Sequence, residues 1–388
     1  MSESDRPVLV MCARAPPQIG GTPTVMYELL RHFPKGSVII VSKVPGREVS
    51  SDDRRLEHEM VEVGRLPSMV YHPIFQLLLL PLTLFEVLFR VRRFRARPRS
   101  ILAVFPSVDF LLISMLLSKL FRVPVFPYLH NCIVEIAAHP FDRAFARLAE
   151  VWVFKHSAKV YSMSEPMRVF YGSRGFRTEV LPHGVDRSLM RPYRARTMGK
   201  VAVVGFSGIV YETNVLAVKE LLDAKKQSGG RLVVKVSSPR QSLNLLASHG
   251  LLDGLDMAAT LGTRAEVLDF LASCDMLFIP MSFESKVKKD LLTIFPTKVT
   301  DYWLAQRPMI VYGPDEYAFV GLAGREGYAL AVTERGPEAI LAAVESLSSS
   351  EELGRCLVEV SRRKLEEHDA RGLALRAMKD LGIPVGGA

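Results

Sequence analysis

Short apolar stretches and longer stretches with helical periodicity alternate along the first half of the chain. The apolar stretches predict strands at 8–14, 37–44, 101–105, 123–130 and 159–164. Segments such as FLLISMLLSKLF, and the stretch 141–155, predict helices between several of them. Strands that are apolar on both faces and alternate with helices indicate a parallel sheet covered by helices on both sides.

The same alternation starts again after a polar, proline-containing stretch near residue 190. Further strands are predicted at 201–208, 231–238, 257–262, 276–281 and 308–313. Helices are predicted from about Asn214 and at 240–249, 264–273 and 297–306. The stretch 338–381 is also helical by pattern, with mixed charge that is typical of a solvated face.

These patterns predict an α/β protein of two Rossmann-like, doubly wound domains. The first spans 1–189 and the second 200–388, with a linker at 190–199 and C-terminal helices that could pack back on the first domain. In open α/β sheets ligands bind at the carboxyl ends of the strands, and two such domains facing each other enclose a cleft. Candidate chemistry is therefore expected in the loops that follow strands.

Composition supports a folded protein and adds an asymmetry of charge. The 388 residues are 48% hydrophobic and 23% charged, which excludes wholesale disorder. Four cysteines, at 12, 132, 274 and 356, are too far apart for a metal knuckle and too few for a disulfide framework, so a reducing cytosol is expected. Residues 1–195 carry 27 Lys and Arg against 17 Asp and Glu, whereas the remainder carries 23 against 24. The basic first half is expected to face something anionic.

One apolar segment raises the question of a membrane. The stretch 73–89 is almost wholly apolar, but Pro81 and Glu86 interrupt it, and it is shorter than the about 20 residues that span a bilayer. The arginine-rich stretch that follows includes Arg90, Arg92, Arg93 and Arg95. The segment is either a buried helix whose last turn carries cations that suit its dipole, or a helix lying on an anionic bilayer, and the two are compatible. Residues 1–6 are polar and the apolar run after them is short, so no signal peptide is expected.

Two glycine-containing loops follow predicted strands. In the first domain Gly20 and Gly21 precede a helix for which Thr22 is the predicted N-cap and Pro23 the first residue. Such a loop either brings backbone amides to an anion or is only a turn, and it is neither a dinucleotide fingerprint nor a P-loop. In the second domain Gly208 ends a similar turn.

The stretch 295–311, FPTKVTDYWLAQRPMIV, is more specific. Thr297 would open a helix whose free amides face the cleft, and Lys298 would add a cation at the same place. Asp301 lies one turn further on. A lysine for a diphosphate and an aspartate for a ribose diol make a chemically sensible pair, but a surface lysine and an early-turn aspartate would produce the same pattern.

Four segments together resemble the GT-B glycosyltransferases of the retaining family 4 type, over nearly the full length of the chain. They are IGGTPTVMYELL, LPHGVD at 181–186, GFSGIVYETN, and TRAEVLDFLASCDMLFIPMSFE followed by FPTKVTDYWLAQRPMIV. Aligning the family pattern on Pro308 places Asp301 at the second acid of a Glu-x7-Glu motif, the acid that the family uses for the ribose hydroxyls.

The sequence departs from the family pattern at two places. Thr293 stands where the first acid is expected, and Glu284 is the nearest upstream glutamate, so Glu284 is the candidate replacement. YETN stands where the family has a basic pair for the donor diphosphate. Lys298 takes over part of that role in the subset of the family with a similar helix opening, and Arg240 is a second candidate.

The resemblance implies a hexosyltransferase that moves a sugar, with retention, from a nucleotide diphosphate sugar to a hydroxyl of a lipid-linked or membrane-borne glycan. It implies no cofactor and no metal, because amides and cations stabilise the leaving diphosphate, which itself accepts the acceptor's proton. His130 stands where the family often has a histidine that contacts the donor sugar; otherwise it is a hydrogen-bonded loop histidine. His183 is assigned to turn structure.

The remaining expectations concern partners and alternatives. The protein is expected in the cytoplasm, peripheral on the inner face of the cell membrane, with an anionic membrane surface as partner. Nucleic acid is not expected, because aromatic residues beyond Phe94 are missing from the basic run. A GT-B sugar-nucleotide epimerase and a catalytically silent GT-B scaffold subunit remain the alternatives.

Overall fold

The chain folds into two α/β units. The computed structural model describes residues 6–16, 18, 20–43, 56–64, 79–93, 97–135, 140–195, 201–281, 283 and 292–384. The first unit comprises residues 1–184 and 370–388, and the second comprises 185–369. Residues 190–195, which the sequence assigned to a linker, therefore lie in the second unit, and the chain passes between the units at 184–185 and again at 369–370.

The first unit is built on a seven-stranded parallel sheet. Its strands are β1 (Val8–Cys12), β2 (Val38–Lys43), β3 (Glu59–Val63), β4 (Ser100–Phe105), β5 (Val125–Leu129), β6 (Tyr161–Ser162) and β7 (Glu179–Val180). Their order across the sheet is β3-β2-β1-β4-β5-β6-β7. The direction of travel reverses between β1 and β4, so the carboxyl ends of these two strands mark a topological switch point, where ligands bind in such sheets.

Helices cover both faces of this sheet. They are α1 (Gly21–Leu30), α2 (Leu80–Arg93), α3 (Val108–Phe121), α4 (Pro140–His156), α5 (Glu165–Ser173) and α13 (Ala370–Leu381). Side chains of β1 alternate between two cores: Val8 and Val10 pack in a cluster with α1 and α13, whereas Leu9 and Met11 pack in a cluster with α2, α3 and α4. This period of two is what a strand buried on both faces produces.

The second unit repeats the plan on a six-stranded parallel sheet. Its strands are β8 (Ala202–Ser207), β9 (Leu232–Ser237), β10 (Met257–Ala259), β11 (Met276–Pro280), β12 (Met309–Tyr312) and β13 (Leu330–Val332), in the order β10-β9-β8-β11-β12-β13. Its helices are α6 (Val215–Gln227), α7 (Arg240–Ser248), α8 (Arg264–Ala272), α9 (Lys298–Ala305), α10 (Ala318–Glu326), α11 (Pro337–Ser349) and α12 (Glu351–Glu367). Two cores again flank the sheet, one containing Met276 and Phe278 and the other Leu277 and Ile279.

Two expectations from the sequence need correction. Helix α1 begins at Gly21 with Gly20 as its N-cap, so Thr22 lies inside the first turn instead of capping it. Its hydroxyl is bonded to a histidine of another loop, which takes it away from the helix end. Strands β3, β7 and β13 were not predicted, because they are short or carry polar residues at a sheet edge. Among the described ranges, no helix is long and apolar enough to cross a bilayer.

Candidate functional site

The amino end of α9 lies beside the carboxyl end of β8 in the second unit. Gly208, the residue after β8, has φ +108, a backbone conformation that residues other than glycine rarely adopt. A Cβ atom at this position would lie 3.2 Å from Cε and 3.3 Å from Nζ of Lys298. Glycine therefore lets the first side chain of α9 lie directly against the loop backbone.

The ammonium group of Lys298 has no counter-charge in the part of the chain that the structure describes. Its Nζ lies 4.6 Å from the centroid of the Phe206 ring, so an aromatic face is its neighbour. Burial lowers the pKa of Lys298 to about 8, because desolvation penalises the charged form. A desolvated, unpaired cation at a loop backbone is suited to bind an anion.

A buried tyrosine fixes this helix end against the sheet. The hydroxyl of Tyr302 accepts a hydrogen bond from the Ser207 amide at 2.8 Å and lies 3.2 Å from the Ser207 carbonyl oxygen and 3.3 Å from that of Phe278. Thr297, the N-cap of α9, has helical φ and ψ, and its side chain makes no capping hydrogen bond. The first amides of α9 are thus held at the end of β8 without a side-chain cap.

Asp301 has a partner that sequence reasoning missed. Its Oδ1 accepts from Arg264 Nε at 2.9 Å and from Nη2 at 2.7 Å. Arg264 is the first residue of α8, which begins at a capping box formed by Thr263 and Glu266. The capping box is visible in the sequence and could have placed Arg264 at the carboxyl edge of the sheet. Its pairing with Asp301 could not be predicted, because the two residues are 37 positions apart. Oδ2 of Asp301 has no hydrogen bond to a described residue, so it can accept from a ligand hydroxyl.

Arg240 is placed at the same edge by a different strand. It is the first residue of α7, after β9, and its side chain is exposed. Glu284 lies outside the described residues. Thr293, which stands where the first acid was expected, is buried. The second unit therefore collects Gly208, Thr297, Lys298, Asp301 and Arg240 at the carboxyl edge of one sheet.

The first unit places Gly20, Gly21 and His130 at the carboxyl edge of its own sheet. Gly20 has φ +148 and is the N-cap of α1. His130 follows β5, and its Nδ1 lies 3.1 Å from the Thr22 hydroxyl. Its ring packs edge-on against Tyr128 with centroids 4.4 Å apart. The loop before α1 and the loop after β5 therefore meet at this histidine.

His130 is buried and neutral. Burial lowers its pKa to about 3, because the imidazolium would lose its hydration. Its Nε2 is buried and has no hydrogen-bond partner among the described residues. A buried ring nitrogen without a partner is costly, so this atom is the one available to a ligand hydroxyl.

The arginines predicted to contact a membrane belong to the first unit. Arg90 pairs with Glu86 at 2.9 Å. Arg92 and Arg93 lie on α2, but their side chains, like the whole of Arg95, fall outside the description. His183 is buried beside Gly184, whose Cβ position would lie 2.7 Å from Cα of Ala370. No cluster of three metal-ligating side chains occurs among the described residues.

Comparisons with known proteins find similarity in structure only. No family model matches the sequence, and no curated protein matches it significantly. HepE of Anabaena, in complex with UDP and glucose, is similar with a TM-score of 0.67 and 11% identity, covering 97% of this chain and 99% of that chain. Sucrose-phosphate synthase from Thermosynechococcus elongatus is similar with a TM-score of 0.68 and 14% identity, covering 96% and 98%.

A protein from Listeria monocytogenes assigned as a UDP-N-acetylglucosamine 2-epimerase is similar with a TM-score of 0.60 and 9% identity, covering 96% of this chain and 95% of that chain. At such low identity these likenesses speak to the fold alone. They extend over almost the whole of each chain and include the two parallel sheets described above. The chain therefore has the GT-B glycosyltransferase fold.

Proposed function

We propose that the protein is a retaining glycosyltransferase that moves a sugar from a nucleotide diphosphate sugar to a hydroxyl of a lipid-linked or membrane-borne glycan. The observation that carries the proposal is Lys298: a desolvated ammonium group, unpaired among the described residues, beside a glycine loop and a helix amino end. Amides and a cation converging on one point are the usual means of holding a diphosphate.

The second unit would bind the donor. The Lys298 ammonium and the first amides of α9 stabilise the negative charge that develops on the diphosphate as the glycosidic bond breaks. Gly208 lets the phosphates approach the backbone, and Oδ2 of Asp301 accepts from a ribose hydroxyl while Arg264 holds the carboxylate in place. Arg240 is exposed at the same sheet edge and adds positive potential. Glu284 is our candidate for the acid that is missing at Thr293.

In the first unit, His130 would be a neutral contact to a sugar hydroxyl. Because its pKa is about 3, the imidazole is neutral near pH 7 and cannot act as a general acid. The bond to Thr22 fixes the ring, and Nε2, which has no hydrogen-bond partner among the described residues, would bond to a substrate hydroxyl. Retention then follows if the acceptor hydroxyl attacks on the face that the diphosphate leaves, with its proton passing to the departing phosphate oxygen. This route needs no protein base and no metal.

The donor is tested by nucleotide binding. Among the structures with this fold, those of HepE contain UDP or UDP-glucose, so uridine diphosphate is the first nucleotide to try, with guanosine diphosphate beside it. Calorimetry on the wild type should give binding of one of them. Lys298→Met removes the charge but keeps the volume, and should weaken binding by at least about tenfold.

Lys219→Met is the matched control, because Lys219 is an exposed lysine of α6 in the same unit. It should leave nucleotide binding unchanged. Equal binding by Lys298→Met and wild type, with the fold intact by circular dichroism, would contradict the proposed donor site.

A sugar-nucleotide epimerase is the second candidate, favoured by the likeness to the Listeria protein. The two activities differ in what the acceptor does. A transferase releases most nucleotide only when an acceptor is present, whereas an epimerase changes the configuration of the donor sugar without one, which proton NMR of the anomeric signals detects. Nucleotide binding with neither reaction would instead indicate a silent scaffold subunit.

A further inference from the structure

Helix α2 exposes an apolar face to solvent. Leu82, Phe85 and Phe89 are 65%, 69% and 70% exposed, and their spacing of three and four residues places them on one side of the helix. The rings of Phe85 and Phe89 are stacked with centroids 6.5 Å apart. Val87 and Val91, on the opposite side, are buried in the core. The helix is thus apolar both toward the sheet and away from it.

The exposed apolar surface continues on the two helices that follow α2 across the same face of the sheet. Helix α3 packs against both α2 and α4, and all three contribute to one core. On their outer sides α3 exposes Leu116 and Leu120, and α4 exposes Leu148 and Val151. A single exposed apolar side chain is ordinary, but a group of seven on three adjacent helices marks an interaction surface.

Cations border this surface. Lys119 in the last turn of α3 and Arg122, its C-cap, are exposed, and α4 carries the exposed residues Arg147 and Lys155. The C-terminal ends of α2 and α3 lie at the same edge, because Arg97, four residues after α2, donates from Nε to the Phe121 carbonyl oxygen at 2.8 Å. We call Lys119, Arg122, Arg147 and Lys155 the rim of this surface.

The acidic residues of these helices whose side chains the structure describes face inward or are already paired. Glu86 accepts from the Gly64 amide and from Arg90, both at 2.9 Å. Asp109 is buried and pairs with Lys43 at 2.9 Å. Glu150 is buried and pairs with Arg174 at 2.7 Å. Among the side chains that the structure describes, the charged groups on the outer side of α2, α3 and α4 are therefore cations.

We propose that the outer face of α2, α3 and α4 docks on an anionic lipid bilayer. Its apolar side chains would enter the boundary between headgroups and acyl chains, and the bordering cations would contact anionic headgroups. A second copy of the chain is the other occupant to consider, but it would bring two cationic rims together, whereas an anionic bilayer complements them. This inference does not depend on the proposed transferase activity.

Co-sedimentation with vesicles tests the proposal. The wild type should sediment with vesicles of phosphatidylcholine containing phosphatidylglycerol, and much less with phosphatidylcholine alone. Phe85→Ser/Phe89→Ser should lower the partition coefficient by at least about tenfold. Both side chains are exposed, so the variant should fold. Leu375→Ser is the matched control, because Leu375 is exposed on α13, on the opposite face of the same sheet, and its loss should leave vesicle binding unchanged.

Three results would overturn the proposal: no binding of the wild type to anionic vesicles, binding indifferent to phosphatidylglycerol, or equal loss of binding in both variants. Sedimentation equilibrium without lipid could give a fourth contradicting result. A dimer that Phe85→Ser/Phe89→Ser dissociates would assign the surface to a second copy instead. Nucleotide binding by the same variant, expected at the wild-type level, keeps a failure here separate from a failure of the proposed function.

Discussion

At the scale of single residues, the candidate donor site depends on a charge that the folded protein leaves unsatisfied. Lys298 lies against Gly208 and Phe206, and its ammonium group meets no carboxylate among the described residues. Burial without a partner destabilises the charged form, so the free protein carries a cost that an anionic ligand would relieve. Such local costs are typical of binding sites.

The lowered pKa of Lys298 predicts how nucleotide affinity depends on pH. The pKa of Lys298 in the folded protein, about 8, lies below the ordinary lysine pKa of 10.5. Nucleotide affinity should therefore fall as the pH rises through 8, by about tenfold at pH 9, because the free protein then holds a neutral amine. Calorimetric titrations at pH 7 and pH 9 measure this change. Lys298→Met should show no such dependence. If the affinity of the wild type does not change between pH 7 and pH 9, Lys298 is not the cation that binds the nucleotide.

The same shift fixes the sign of the effect on stability. A lysine whose folded pKa is lowered destabilises the free protein fully below about pH 8, and this destabilisation is lost as the pH rises toward 10.5. Near neutral pH, Lys298→Met should therefore stabilise the free protein, by about 1 to 3 kcal/mol. Binding and stability then move in opposite directions in one variant, which a general unfolding defect would not produce.

At the scale of elements, the site depends on how α9 is attached to β8. The Tyr302 hydroxyl satisfies the Ser207 amide, and this bond sets where Thr297 and Lys298 lie at the end of the strand. On the other side of α9, Asp301 is tied to the first residue of α8. Side-chain hydrogen bonds thus join α9 to two other elements, β8 and α8.

Tyr302→Phe should weaken this attachment. It leaves the buried Ser207 amide without its partner, and we expect the free energy of unfolding to fall by about 1 to 3 kcal/mol and nucleotide binding to weaken with it. Chemical denaturation and calorimetry measure the two effects. Tyr328→Phe is the matched control, because the Tyr328 hydroxyl is buried without a partner among the described residues and its removal should be neutral or stabilising. Equal effects of the two variants would argue against the role of the Tyr302 hydroxyl.

Much of this arrangement could be predicted from the sequence, up to the level of separate elements. The apolar runs of β1, β4, β8 and β12 identified two parallel sheets, and the opening of α9 identified Lys298 and Asp301. The contacts between elements could not be predicted. Neither the approach of Lys298 to Gly208 nor the pair of Arg264 and Asp301 leaves a local pattern, because each joins segments separated by a strand or more.

At the scale of the whole molecule, the residues proposed to hold the nucleotide diphosphate all belong to one unit. Gly208, Arg240, Arg264 and the start of α9 lie within 185–369, whereas His130 and the basic apolar surface belong to the other unit. The basic excess of the first half of the chain, which could have indicated a phosphorylated ligand there, is instead accounted for in part by the rim around α2, α3 and α4.

Hydrogen exchange tests this division. Uridine diphosphate, or guanosine diphosphate if that is the nucleotide bound, should protect amides at 205–208, 262–266 and 296–302. Amides of the outer helices α2 and α3 should be unaffected by the nucleotide. Protection confined to residues 1–184 would place the nucleotide in the wrong unit and contradict the proposed site.

The two crossings of the chain between the units have a consequence for biosynthesis. Val185 and His368, at the two ends of the second unit, are joined by a hydrogen bond of 2.8 Å, so that unit is an insertion with adjacent ends. Helix α13, translated after the second unit, supplies Leu373, Ala374, Ala377 and Met378 to the core around α1. On the ribosome the inserted unit can therefore complete its fold first. The first unit must wait for α13 to close its own core.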